Sequence, residues 1–120
     1  MLTDQPKTHK LKQNYCFRRV YRRGQYVNSE HLTFYYFARR DTHRYLGVTV
    51  PRRFKGGVLR NRIKRQLRAL YREREAVIKP GYDFILLGRY RPETVKYAQL
   101  LKEFDHILKK THLTVEQVSD

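Results

Sequence analysis

The residues with the most chemical content lie between Arg60 and Arg72: Arg60, Asn61, Arg62, Lys64, Arg65, Arg68 and Arg72, with no acid among them. On a helix, at about 100° per residue, they fill roughly 200° of the surface before Glu73 brings the first carboxylate. Like charges four apart, Arg60/Lys64 and Lys64/Arg68, oppose an isolated helix by ~0.2–0.5 kcal/mol per pair. Arg60 and Arg62 also fall in the first turns, where the helix dipole disfavours cations by ~0.3–1 kcal/mol each. A solvated face would ordinarily mix in glutamates. A surface meant for phosphates explains the arc better, because guanidinium forks pair with phosphate oxygens and Asn61 both donates and accepts.

The charge is segregated in the same sense. Residues 1–72 hold 19 Lys and Arg against Asp4, Glu30 and Asp41, whereas residues 73–120 hold eight of each sign. The whole net charge of +16 therefore belongs to the first three-fifths of the chain. From Thr42 to Arg72 there are ten basic residues and no acid. Such segregation fits one surface laid on a polyanion.

Composition removes several alternatives. A mean hydropathy of −0.81 leans towards disorder, but ten Tyr and six Phe supply the apolar groups of a small folded domain. With 120 residues there is room for one core. The longest apolar run, Phe84-Ile85-Leu86-Leu87, is far short of the ~18 residues of a membrane span, and the start has no apolar stretch of signal type. Cys16 is the single cysteine, which excludes an internal disulfide, and a cytoplasmic protein is expected. The five histidines show no ligand spacing and read as surface residues rather than metal ligands.

The elements that must position the arc follow from pattern. Residues 1–12, polar and basic, read as a flexible arm; residues 13–112 form the single domain, and 113–120 a loose tail. Asn14 is placed to cap a helix running to Arg23 and stopped by Gly24, with Phe17, Val20 and Tyr21 on one side. His31–Ala38, aromatic and β-branched, reads as a strand, and so does Arg44–Val50, with Leu46, Val48 and Val50 on one face. Pro51 keeps Val50 extended, and Arg52 to Gly57 is a basic loop. Val58–Lys79 reads as a helix whose core stripe is Leu59, Ile63, Leu67, Leu70 and Val77; Pro80-Gly81 ends it. Tyr82–Tyr90 is apolar on both faces and reads as a central strand, and Thr94–Lys110 as a last helix. Helix, strands, helix, strand, helix make an α+β, or α/β, sandwich.

The aromatic residues allow two readings. Phe17 and Tyr21 lie one turn apart, and Phe34 to Phe37 give four consecutive rings on a strand, two to each face. Their ordinary role is to staple the first helix onto the sheet. Their sharper role is a partly open groove in which rings stack on unpaired bases while nearby cations hold the backbone.

The run Arg60-Asn61-Arg62-Ile63-Lys64-Arg65, continued by Gln66-Leu67-Arg68, resembles the arginine-asparagine-arginine signature of the bacterial ribonuclease P protein component. Leu11-Lys12 and Phe17 to Gly24 resemble that family's opening helix. Leu46–Val50 with Arg52-Arg53 resembles the strand before its basic loop, and Tyr82–Leu86 the strand after its long helix; about residues 10–110 are covered. Tyr21 stands where many relatives have phenylalanine, Pro51 replaces a small polar residue, and the glycines of Phe54-Lys55-Gly56-Gly57 are shifted by one.

The resemblance implies a fold related to the second domain of ribosomal protein S5, in the order α-β-β-β-α-β-α, with a left-handed β-α-β crossover. It implies the protein subunit of a ribonucleoprotein endonuclease that removes the 5′ leader of precursor tRNA. The catalytic centre and its Mg²⁺ would belong to the RNA, and this chain would hold no metal and contribute no catalytic residue. Arg52, Arg53, Arg60, Asn61, Arg62, Lys64, Arg65 and Arg68 would contact the catalytic RNA. Phe17, Tyr21 and Tyr35 would line a cleft for the precursor's leader. The implied partners are the catalytic RNA and precursor tRNA, with no membrane and no obligate protein partner. A structural ribosomal or other rRNA-binding protein shares the electrostatics and stands as the alternative. A protein-only nuclease would need convergent acids or a general base, yet residues 42–72 contain no Asp or Glu, and His43 lies apart from the basic helix.

Overall fold

Strand alternation gives the sheet two unlike faces, and the helices divide between them. The computed structural model describes residues 7–115. Within them β1 (Thr8–Lys10), α1 (Asn14–Arg23), β2 (Gln25–Asn28), β3 (Leu32–Ala38), β4 (Arg44–Thr49), α2 (Gly57–Arg74), β5 (Tyr82–Gly88) and α3 (Tyr97–Thr111) follow in order. Single 3₁₀ turns occupy Glu75–Val77 and Pro92–Thr94. The sheet runs β1-β4-β5-β3-β2. β4 is parallel to both β1 and β5, while β3 is antiparallel to β5 and to β2. The architecture is the α+β sandwich expected, with one strand added in front.

β5 is central and buried on both faces. Phe84 and Leu86 point into the larger core, which Phe34, Leu46 and Val48 share with α2 and α3. Phe34 stacks on Phe84 at 5.0 Å and meets Phe104 edge-on at 5.3 Å. Each such pair adds ~0.5–1.5 kcal/mol to its area burial. α2 buries Ile63, Leu67, Leu70 and Tyr71 here, so its core stripe lies where periodicity predicts, with Leu59 and Val77 only partly covered. The opposite face carries α1 alone. There Leu11, Val20 and Ile85 form a smaller cluster flanked by Phe17, Tyr35 and Phe37. One short helix cannot cover five strands, and part of this face stays open.

Three local readings are corrected, and a fourth is borne out with a different physical reason. Residues 1–12 are not an arm throughout: Thr8–Lys10 pairs with Arg44–Leu46, Leu11 is buried, and the Thr8 hydroxyl meets the Tyr71 phenol at 2.9 Å. A three-residue edge strand is too short to leave a periodic signal. At the other end Leu113 is buried and Val115 N–H donates to the Val77 carbonyl at 2.7 Å, so the tail is tied down this far. The remaining residues of both segments, 1–6 and 116–120, lie outside the described residues. Gln13, not Asn14, is the N-cap of α1, and it makes no side-chain cap bond. Gly24 does stop α1, but in extended conformation, and what requires glycine is space: a Cβ there would lie 2.6 Å from the Val20 carbonyl oxygen and 2.8 Å from that of Tyr36.

Candidate nucleic-acid interface

α2 turns its apolar stripe to the sheet, which obliges its cations to face out. Asn61, Arg62, Arg65, Arg68 and Arg72 are exposed and Lys64 is half-buried. Among the described residues none of these six side chains makes a hydrogen bond or ion pair to the protein itself. They are available to a partner.

Arg60 is different. Its guanidinium donates to the carbonyls of Val50, Pro51 and Phe54 at 3.0, 2.9 and 3.2 Å. It therefore holds the loop between β4 and α2 from inside, work that a helical wheel does not reveal. That loop carries Arg52 and Arg53, both exposed, with Arg53 lying over the Phe54 ring at 5.0 Å from its centre. Buried Phe54 and clamped carbonyls give these two cations a fixed base.

A cleft of about 450 Å³ lies between α2 and α1. Lys64, Arg68 and Arg72 line one side, Phe17 the other, and Leu46, Gly47 and Val48 the floor. The cleft exists because β1 pairs with β4 only as far as Leu46, leaving Gly47–Thr49 at the margin of the sheet. Gly47 seats the Phe17 ring: a Cβ there would come within 2.5 Å of it. From Phe17 the rings continue to Tyr21 at 6.4 Å, to Tyr35 edge-on at 4.9 Å, and to Tyr26 at 5.5 Å. Burial raises the Tyr21 phenol above its ordinary pKa, a hydrogen bond with Thr49 opposes the shift, and Tyr35 adds to it. Tyr21 and Tyr26 are nevertheless 40% and 58% exposed, so their rings meet solvent. Of these aromatics Phe17 and Tyr35 pack against the smaller core, whereas Tyr21 and Tyr26 stay open.

Structure thus brings Lys64 and Arg68 together with Phe17, and Tyr21 with Tyr35. It leaves Asn61, Arg62 and Arg65 on the outer surface of α2. Two residues of this region lie outside the positions that the family signature marks. Tyr26 lies on a strand four residues long, though it sits opposite Tyr35 in the ladder. Arg72 belongs to the basic arc but is far from its signature.

The cleft does not fit a resident divalent cation. Its one carboxylate, Glu75, stands among Lys64, Arg68 and Arg72, a donor set that would repel a metal ion. Glu30, His31 and Glu103 do gather at the β2–β3 turn. There the Glu103 oxygens already accept from the Ser29 hydroxyl, the His31 N–H and the Gln99 amide, with His31 Nδ1 at 2.6 Å. That group fastens the turn to α3.

Comparison with known proteins places the chain in a family. The family model described as Ribonuclease P matches residues 5–112. The ribonuclease P protein component of Natranaerobius thermophilus is 35% identical over 108 residues, covering 90% of this chain and 94% of that protein. Its counterpart in Oceanobacillus iheyensis is 32% identical and covers 89% of each. Among solved structures, the Staphylococcus aureus RNase P protein superposes with a TM-score of 0.77 at 26% identity, covering 91% of this chain and all of that one. The protein from Thermotoga maritima shares the fold, with a TM-score of 0.75 at 22% identity. This chain belongs to the ribonuclease P protein family, whose members are the protein subunit of a ribonucleoprotein endoribonuclease.

Proposed function

We propose that the outer surface of α2 and the clamped loop bind the catalytic RNA, while the cleft between α1 and α2 receives the single-stranded 5′ leader of precursor tRNA. The observation that carries this reading is the cleft itself. One wall supplies Lys64, Arg68 and Arg72 for phosphates, and the other begins a row of rings for bases. Phosphate contacts fix register, and stacking tolerates any base, which suits a leader of variable sequence. Asn61, Arg62, Arg65, Arg52 and Arg53 remain for the second RNA.

On this reading the protein does no bond-breaking. Its cations offset the repulsion between two polyanions and hold the precursor in place, so precursor binds better than leaderless product. Mg²⁺ would be held by the catalytic RNA, where it would activate water and stabilise the leaving oxygen. A cytoplasmic location fits this partner, and among the described residues no helix is long and apolar enough to cross a membrane.

The test is restored 5′ processing of precursor tRNA when the protein is added to a bacterial ribonuclease P RNA at low Mg²⁺. Tyr21→Ala should cost on the order of 1–3 kcal/mol in precursor affinity and leave mature tRNA untouched. Stable ribosome association without any effect on processing would favour an rRNA-binding role instead.

A further inference from the structure

α1 has a second flank, and it is built like the first. A pocket of about 580 Å³ opens there, lined by Lys10, Lys12, Arg19 and Arg39 with Tyr15 and Tyr45 among them. No acid lines it. Fully buried Asp83 lies behind, accepting from Arg39 at 2.9 Å and from Arg19 at 3.3 Å, so both guanidiniums are braced at the pocket's back. Asp41 neutralises part of Arg39 through a paired contact at 2.8 and 2.9 Å. Among the described residues neither Lys10 nor Lys12 has a side-chain ion pair. Tyr15 is 59% exposed. Among the described residues the three exposed tyrosines are thus Tyr21 and Tyr26, in the row of rings that continues from Phe17, and Tyr15 here.

The two cavities adjoin. His9, Lys10 and Leu11 line both, so β1 forms a low ridge between them. We infer that this second pocket binds single-stranded RNA, and that it takes the continuation of the strand held in the first cleft, with Lys10 and Lys12 on phosphates and Tyr15 on a base. The inference rests on the leader reading above. It adds a length dependence that reading does not contain: affinity rises in two steps as the leader lengthens, first on filling the cleft and again on crossing the ridge.

The experiment measures precursor affinity of the reconstituted holoenzyme over a graded series of leader lengths, for the unaltered protein and for Lys12→Ala/Tyr15→Ala. Both side chains are exposed and neither belongs to a core cluster, and Tyr15→Phe, which keeps the ring, serves as the conservative control. The expected result is that the double variant loses about tenfold of the advantage of long leaders over short ones, the worth of one stacked base, while Tyr15→Phe keeps it. The salt slope for long leaders should also fall by ~0.7 for each single-strand phosphate that the variant no longer neutralises. Equal weakening for all leader lengths overturns the inference and assigns the pocket to the catalytic RNA instead. An unaltered protein indifferent to leader length beyond the first step also overturns it, with the cleft reading intact. Indifference of Tyr21→Ala to leaders of every length overturns the cleft reading itself, and the track with it.

Discussion

Arg60 and Arg62 stand two residues apart in one signature, yet the structure turns them opposite ways, and alanine separates them. Arg60 makes three charge-assisted bonds to the carbonyls of residues 50, 51 and 54. Bonds to a charged group contribute ~1.5–3 kcal/mol each when counted alone. The three share one guanidinium and the freed carbonyls are within reach of water, so the net loss for Arg60→Ala is about 2 kcal/mol. For a domain of this size that lowers the melting temperature by roughly 6–12 °C. Arg62→Ala removes no internal contact and should stay within ~0.5 kcal/mol of the parent. In binding to the catalytic RNA the order changes. Arg62→Ala reduces the logarithmic salt slope by ~0.7–0.9, the worth of one neutralised phosphate. Arg60→Ala weakens RNA binding through the loop, because Arg52 and Arg53 lose their fixed base. Thermal melts and salt-dependent RNA titrations of the two variants decide the matter. If Arg60→Ala melts with the parent and loses the same slope as Arg62→Ala, the clamp is energetically idle and Arg60 is one more phosphate ligand.

Three more outcomes are expected. Asp83→Asn leaves Arg19 and Arg39 without their buried counter-charge and should destabilise by about 2–3 kcal/mol in urea unfolding, less than a fully buried pair because both arginines reach solvent. Gly47→Val forces the Phe17 ring off the floor of the cleft, with an overpacking cost of ~1–3 kcal/mol and reduced precursor affinity, read by melting and by precursor titration. Burial pushes the Glu103 carboxyl up, but hydrogen bonds from Ser29, His31 and Gln99 outweigh it and hold the pKa below its ordinary value of 4.5. Its contribution to stability is therefore present above that value and fades as pH falls through the lower, folded one; in acid titrations Glu103→Gln should flatten this limb.

Much of the frame was legible in the chain. Ile63, Leu67 and Leu70 recur at helical spacing, and a stripe that must be buried dictates that the cations between them face outwards. The all-apolar Phe84–Leu87 run marked the central strand for the same reason, since no position on it is suited to water. Short-range pattern failed where the partner was distant in sequence. β1 is three residues held by pairing with β4 and by Tyr71, 63 positions away. Tyr26 joins the row of rings only by lying opposite Tyr35.

Sequence alone determined which residues carry charge, which are apolar, and how a helix of fixed pitch must separate them. Tertiary structure decided what each cation faces. Arg60 turns inwards because the loop after β4 brings three carbonyls within its reach, and Lys64 faces Phe17 across the cleft because β1 stops pairing with β4 at Leu46 and leaves a gap. These are distances between segments remote along the chain, and no periodicity encodes them.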